Sequence, residues 1–376
     1  MITEMANLQE PLWLKEYRKR NLFVLDKKPL KKSQYYDVNA LDSFLTIQKN
    51  KKKFNFPKGL ESENIRVINW EQALREIPHE LRFILEKEEP PKTQYEAFVN
   101  ANFNAGFIVI TKRDSLFKDI INYEIENTQD SIIKNIIIIR ENIEGLKLLE
   151  TINAGVKFMN ETIFLMQNSR AIFCRIFNLD STSLINLQTL IEKDSVLKTG
   201  NAFLNGNFIS ARITNSLIGQ GSSLEQLDFS FLNSKQFYNV DLKTIHKASD
   251  AYSYSELKTV LNEESKNLFD GMIKILPNGQ KANALLKTHS LLLSRDASTN
   301  NIPSLEIEAD DVKATHSATS SNLDEDQLFY LESRCINKEE ARHTIIKGFL
   351  ESIIYRLPEE YSEYMIEALN KKLEAT

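Results

Sequence analysis

The sequence predicts a mainly β protein with helical ends, and three observations lead there. From Phe107 onward the chain carries short runs rich in Ile, Phe and Val, separated by Asn, Gly, Ser and Asp. No strand–helix–strand alternation interrupts those runs, which argues against a doubly wound α/β fold. Residues 1–96 and 321–376 instead carry helical spacing or linker composition, so three regions are expected: 1–96, 97–320 and 321–376. A β-sandwich and a β-helix both satisfy these observations.

Pro11 followed by Leu12, Trp13, Leu14 and Tyr17 predicts a short amphipathic helix. Residues 26–64 are rich in Lys and Asn and read as mostly irregular. Trp70, Leu74, Ile77, Leu81, Ile84 and Leu85 keep helical spacing and predict one helix, broken by Pro90-Pro91. A further short helix is expected over Tyr95–Asn102. Strands are predicted at Phe107–Ile110, Ile136–Ile139, Thr162–Met166, Ala171–Phe177, Ala202–Leu204, Phe208–Ile213, Phe229–Phe231, Leu268–Ile275 and Leu291–Ser294. Asn205-Gly206 and Asn278-Gly279 mark turns. The strands show no strict sequence repeat. Near the end, Asn337 with Glu340 predicts a helix start. Ala341, Ile345, Ile346, Phe349 and Ile353 form its apolar stripe, and Pro358 stops it. A last helix places Tyr361, Tyr364, Met365, Ala368, Leu369 and Leu373 on one face. These two helices are expected to pack on each other, or to offer a groove to a partner.

The chain has 376 residues, 42% of them apolar, enough for a sizeable core. A net charge of −5 and a pI near 5.8 argue against nucleic-acid binding. Lys27, Lys28, Lys31, Lys32, Lys49, Lys51, Lys52 and Lys53 make the N-terminal region locally basic, a solvated linker or a patch for an acidic partner. Cys174 and Cys335 are the only cysteines, which excludes a disulfide framework and suits a reducing compartment. No secretory leader is read at the N-terminus, and Ile136–Ile139 is too short to span a membrane, so a cytoplasmic protein is expected. There is no phosphate-binding Gly-x-x-x-x-Gly-Lys-Ser/Thr loop, Gly-x-Ser-x-Gly elbow, His-Glu-x-x-His helix or Cys-x-x-Cys pair. No enzyme activity is expected.

The most informative stretch runs from Pro303 to Phe349. Leu305-Glu306-Ile307-Glu308 alternates as a half-buried strand would, and His316 follows it. Ser320, Ser321 and Asn322, then Asp324, Glu325 and Asp326, read as the start of a helix. This order closely resembles the C-terminal end of the SufB/SufD family, scaffold subunits of the SUF iron–sulfur cluster assembly machine. Asn100-Ala101 and Gly106, Asn205-Gly206 with Arg212, Ile245-His246, Phe269–Ile275 and Leu291–Ser294 resemble earlier parts of the family in the same order. The resemblance favours the β-helix: a right-handed parallel β-helix core flanked by N- and C-terminal helical regions. It also implies pairing with a SufB-like paralogue, or with a second copy, and docking of a SufC-type ABC ATPase on the C-terminal helices. Arg342, Ile345, Ile346 and Phe349 are the docking candidates. No tightly bound cofactor is expected, although a transient Fe–S cluster at the complex interface is consistent with the family; flavin use is left open.

Within the family the chain is more similar to SufD. Ala297 stands where the SufB scaffold cysteine falls, and alanine supplies no thiolate. The resemblance makes His316 a candidate cluster ligand at a subunit seam, since neutral imidazole suits iron. Where the family reads Cys-Ser-His-Gly-Ala-Thr, this chain reads Ala314-Thr315-His316-Ser317-Ala318-Thr319, and Cys335 replaces another usual glycine. Cys335 is thus a possible secondary thiol. His246 and His289 are expected to be structural, His79 and His343 to be surface residues, and Cys174 to face the core. One rival reading is a polysaccharide hydrolase using the carboxylates between Glu306 and Asp311. Another is a self-pairing β-helix without a metal role.

Overall fold

The computed structural model describes residues 10–27, 57–92, 94–125, 132–153, 155–180 and 182–375. The basic run from Lys28 to Lys53 lies outside them. Helix α1 (Leu12–Lys27) comes first, then β1 (Ile65–Asn69), α2 (Trp70–Glu76), α3 (Pro78–Lys87) and α4 (Gln94–Asn102). Strands follow with no helix between them: β2 (Phe107–Thr111), β3 (Ile120–Ile125), β4 (Ile132–Ile139), β5 (Leu146–Ile152), β6 (Phe158–Leu165), β7 (Arg170–Asn178), β8 (Thr182–Ile191) and β9 (Val196–Asn205). They continue as β10 (Phe208–Leu217), β11 (Ser223–Leu232), β12 (Phe237–His246), β13 (Tyr252–Leu261), β14 (Lys266–Ile275), β15 (Asn283–Leu292), β16 (Ser298–Ile307) and β17 (Lys313–Asn322). Helices α5 (Glu325–Ser333), α6 (Lys338–Ile354) and α7 (Glu359–Glu374) end the chain.

Successive strands alternate between two sheets. The even-numbered strands and β1 form a nine-stranded sheet, and the odd strands β3 to β17 an eight-stranded one. Neighbours from β2 onward pair parallel, for example β10 with β12 and β13 with β15. Each coil therefore lays one strand on each wall, which makes a parallel β-helix and rules out the sandwich.

A repeat does exist, in the turns rather than the strands. Asp114, Asn142, Asn168, Asp194, Gly221, Asp250 and Lys281 all adopt positive φ at one corner, recurring every 26 to 31 residues. Asn, Asp and Gly tolerate this conformation best. Ser, Ile or Ala follows each of them, and two of the serines, Ser169 and Ser195, staple the corner. Ser169 Oγ donates to Arg140 O (2.7 Å) and accepts from Ile143 N (3.1 Å); Ser195 Oγ donates to Met166 O and accepts from Ser169 N.

One strand absent from the sequence reading has mainly polar residues on its inward side. Tyr252–Leu261 buries Ser253, Ser255 and Thr259 around Leu257. Nearer the N-terminal end, Glu150, Glu161 and Arg175 are all buried in the interior. Arg175 donates to Glu161 from Nε (2.8 Å) and Nη2 (2.6 Å), and its Nε lies 3.4 Å from Glu150. One guanidinium thus serves two carboxyls. Burial, and then the Glu161 charge, push the Glu150 carboxyl well above its ordinary range.

The N-terminal end of the solenoid is covered. Leu60 is fully buried in the interior core, and β1 adds antiparallel to β2. Buried Arg18 of α1 donates to the carbonyls of Ala101 (2.8 Å) and Phe103 (3.2 Å) at the end of α4. Lys134 of β4, also buried, pairs with Glu88 at 2.9 Å. The single helix expected over Trp70–Leu85 is two: Ile77 leaves helical geometry, and Pro78 opens α3, where its missing N–H costs nothing.

Helices α6 and α7 lie on the outer face of the eight-stranded sheet. Ile346, Leu350, Ile353, Tyr361, Met365 and Leu369 share one cluster with Cys174, Phe229, Phe231 and Val260. Cys174 is buried there, and burial pushes its thiol up to about 12, so it behaves as a small hydrophobe. Asn337 caps α6 by accepting from Glu340 N at 2.9 Å. Ser320, Ser321 and Asn322 belong to β17 rather than to a helix start; Asp324 is the cap of α5. Cys335 sits just past α5 with φ +65°, and the Cys335 N→Glu332 O and Ile336 N→Leu331 O bonds close the helix in a Schellman motif.

Three stability predictions follow from these positions. Glu150→Gln should raise stability at pH 7, read as a higher urea midpoint. The native carboxyl binds its proton more tightly than the unfolded one does. Its contribution therefore weakens the fold progressively as pH rises above the unfolded value, and the variant should lose that slope in urea midpoints measured across pH. Gly348 lies mid-helix on the exposed side of α6, and a Cβ added there meets nothing within 4 Å. Gly348→Ala should stabilise by about 1 kcal/mol in urea denaturation. Cys335→Gly should relieve the left-handed backbone by about 1 kcal/mol, read as slower amide exchange at the end of α5.

Candidate functional site

The C-terminal end of the solenoid has no cover among the described residues, and His316 lies there. Register fixes which side chains face inward. On one wall Ala284, Leu286, Thr288 and Ser290 are inward and buried, and they stand beside Ala314, His316, Ala318 and Ser320 of β17. On the other, Phe269, Gly271, Ile273 and Ile275 stand beside Asn301, Pro303, Leu305 and Ile307 of β16. Those equivalents in the last rung are mostly open to solvent. Leu305 is 37% exposed and Ile307 42%, whereas Ile273 and Ile275 are 2% and 0%. The apolar cross-section of the helix thus ends uncapped, with His316 on its rim.

His316 is exposed, and no group of three or more His, Cys, Asp or Glu that could hold a metal occurs among the described residues. A cluster touching His316 would need its other ligands from outside those residues. Cys335 is exposed but lies beyond α5, where its backbone explains its position. Ala297 is buried in the β15–β16 turn and lines an open cleft of about 730 Å³ with Arg295, Leu323, Phe329, Lys338 and Arg342.

The remaining histidines are accounted for by local contacts. His246 is buried, shares a 2.8 Å hydrogen bond with Ser253 Oγ, and is pushed by burial down to about 4, so it is neutral at pH 7. His289 Nδ1 lies 2.7 Å from Thr319 Oγ1 and its Nε2 3.9 Å from Glu256. Burial lowers its pKa, partly offset by the Glu256 charge. His79 is exposed on α3, while His343 is half-buried on α6.

The docking candidates on α6 face mainly inward. Ile346 is buried against the sheet, and Ile345 and Phe349 pack at the edge of the same cluster. Arg342 donates from Nη2 to Asn262 Oδ1 (3.1 Å) and to Leu293 O (3.2 Å). These four side chains hold α6 to the solenoid. The outward face carries Thr344, Gly348, Ser352 and Tyr355 instead.

The carboxylates proposed for hydrolysis lie on the outer face. Lys274 Nζ bonds Glu306 and lies 3.2 Å from Glu308. The Lys274 hydrogen bond holds the Glu306 carboxyl below its ordinary range. Both carboxylates are therefore engaged by one lysine, on the face away from the solenoid interior. Sequence reasoning had treated Leu305 and Ile307 as ordinary half-buried strand residues. Alternation gave the right face, but only the position of β16 at the end of the sheet shows that nothing covers it.

No helix among the described residues is long and apolar enough to cross a membrane. The chain is 30% identical over 160 residues to an iron–sulfur cluster assembly SufBD family protein of Synechocystis sp., covering 43% of this chain and 33% of that protein. It is 28% identical over 198 residues to proteins of the same description from Staphylococcus saprophyticus and Staphylococcus aureus, covering 51% of this chain and 42% of theirs. The match therefore spans less than half the length of these relatives. Residues 123–349, from β3 into α6, match the family described as SUF system FeS cluster assembly, SufBD core domain. With its parallel β-helix and that match over more than half its length, the chain belongs to the SufBD core family of iron–sulfur cluster assembly proteins.

Proposed function

We propose that this chain is a SufD-like, non-catalytic subunit of the SUF assembly complex, and that its C-terminal rung joins the solenoid end of a SufB-like scaffold. The observation that carries the reading is the uncapped rung. An apolar cross-section left open to water, edged by unpaired backbone groups, is stabilised by a second solenoid end. The cluster is then cargo at the seam. His316 supplies one neutral imidazole from the rim, and the partner supplies the other ligands. Ala297 and Ala314 in place of thiols favour this minor share over a full scaffold role. A SufC-type ATPase docks on the outward face of α6, around Thr344, Gly348, Ser352 and Tyr355.

The test is tagged co-purification with the paralogue and ATPase of the same genome. Recovery of both supports the reading; a stable self-dimer that recovers neither would favour homodimerisation instead. Replacing Leu305 and Ile307 by Asp should weaken paralogue binding roughly 10-fold or more for each, from apolar burial lost at the seam. The isolated variants should stay folded with a lowered urea midpoint, since both side chains are partly exposed but stand beside Ile273 and Ile275. His316→Ala should leave both partners bound and lower retained cluster by about 10-fold, read from visible absorbance of the anaerobically reconstituted complex. Full cluster retention would remove the ligand role and leave the scaffold role standing. Gly348→Arg should release the ATPase alone.

A further inference from the structure

A cavity of about 10 Å³ lies in the solenoid interior, room for a single water-sized occupant. Both walls contribute polar groups to it. Asp228 and Ser230 come from β11, Thr259 from β13 and Thr288 from β15; Ser230 pairs with Thr259, and Leu257 stands in register between Asp228 and Thr288. From the other wall come Tyr238 of β12 and its register partner Asn267 of β14. All six side chains are buried. Asn267 donates from Nδ2 to Thr299 Oγ1 (3.2 Å), which leaves its buried Oδ1 without a hydrogen-bond partner.

The one charge turned inward here is Asp228. Its carboxylate accepts from Asn201 N (2.9 Å), Asn201 Nδ2 (2.8 Å) and Gln226 Nε2 (2.6 Å), all of them neutral donors. Arg175 is linked to it through Asn201, donating to Asn201 Oδ1 at 3.2 Å. Lys258 also lines the cavity, but its Nζ bonds Phe349 O and Ser352 Oγ on the outer face. Burial pushes the Asp228 carboxyl up to about 6, so it is still ionised at pH 7. A buried charge is normally paired or bound to a metal. Water in the cavity would satisfy Asn267 Oδ1 and bring no charge; a cation does both.

We propose that this cavity binds one dehydrated monovalent metal cation, sodium or potassium, with Asp228 as its charged ligand and Asn267 Oδ1 as a neutral one. The hydroxyls of Ser230, Thr259, Thr288 and Tyr238 surround it with further oxygens, and oxygen ligands suit a hard cation. Ser230 Oγ donates to Thr259 Oγ1 (3.0 Å), which leaves the Ser230 lone pairs for the ion. Divalent ions fit less well. Magnesium keeps several of its waters, for which the cavity has no room, and a single carboxylate leaves the second charge of magnesium or calcium unbalanced. The folded chain holds these oxygens together and the unfolded chain does not, so the cation is a stabilising ligand. The site lies behind the last rung and stands whether or not that rung joins a partner.

The test is urea denaturation of the full chain in sodium, potassium and tetramethylammonium chloride at matched ionic strength. Tetramethylammonium is too large for the cavity and serves as the reference. The midpoint should be higher in sodium or potassium. Each tenfold rise in that free cation above its dissociation constant should raise the folding equilibrium constant about tenfold. Asp228→Asn should abolish the preference. Asn267→Leu replaces the unpartnered oxygen by an apolar group of similar size, so it should fold and lower the apparent cation affinity roughly 10-fold or more. It decides the matter even where Asp228→Asn does not fold. Equal parent midpoints in all three salts would mean that the cavity holds water only, and would overturn the site. The full preference kept by either variant would place the ion elsewhere and overturn it too.

Discussion

Each coil of this solenoid is satisfied only by the coils on either side of it. A parallel strand turns half of its backbone groups each way, so a stack of coils is complete everywhere except at its two ends. The N-terminal end is closed by the buried Leu60, by β1, and by α1 and α4 tied together through Arg18. The C-terminal end has no equivalent, and the helices that follow β17 turn back to the outer face of the sheet instead of covering the rung. α5, the element nearest the open end in sequence, has no buried residue. The asymmetry between the two ends gives the fold a direction, and the proposed role follows from it.

The interior is not uniformly apolar, and that shapes both stability and specificity. Arg175 between Glu150 and Glu161 continues into Asn201 and Asp228, where burial lifts the Asp228 carboxyl to about 6. Ser230 and Thr259 bond each other in later coils, and Ser290, Thr299 and Asn301 form a further group next to the open rung. Buried polar groups of this kind cost stability relative to a packed apolar core. They also discriminate against register slips, because a slip of one residue would strand every one of them without partners.

Much of this was legible in the sequence, and the failures have several physical origins. Apolar runs such as Ile136–Ile139, the second half of the strand Ile132–Ile139, announce themselves. Tyr252–Leu261, with serine and threonine inside, was not read as a strand because a polar interior removes the alternation on which strand prediction depends, and in Lys313–Asn322 the run Ser320, Ser321 and Asn322 looked like a helix start. The turn repeat was missed for the opposite reason: it is carried by single Asp, Asn or Gly residues whose spacing varies with coil length. Helical spacing ran through Pro78 because proline fits the first turn of a new helix as well as it ends an old one. His316 was found through the order of motifs around it. That Ile346 faces inward and that Leu305 and Ile307 are partly uncovered depend on the neighbours of each element, which no local pattern encodes.

The central claim is that the open rung is the joining surface. It is tested most directly by placing a photo-crosslinking side chain at Leu305 of the full chain in cells, with a second at Leu116, exposed in the turn leading into β3 near the covered end. The account predicts crosslinks from Leu305 to a paralogous SufBD chain and none from Leu116. Crosslinks to that paralogue from Leu116 alone would contradict it.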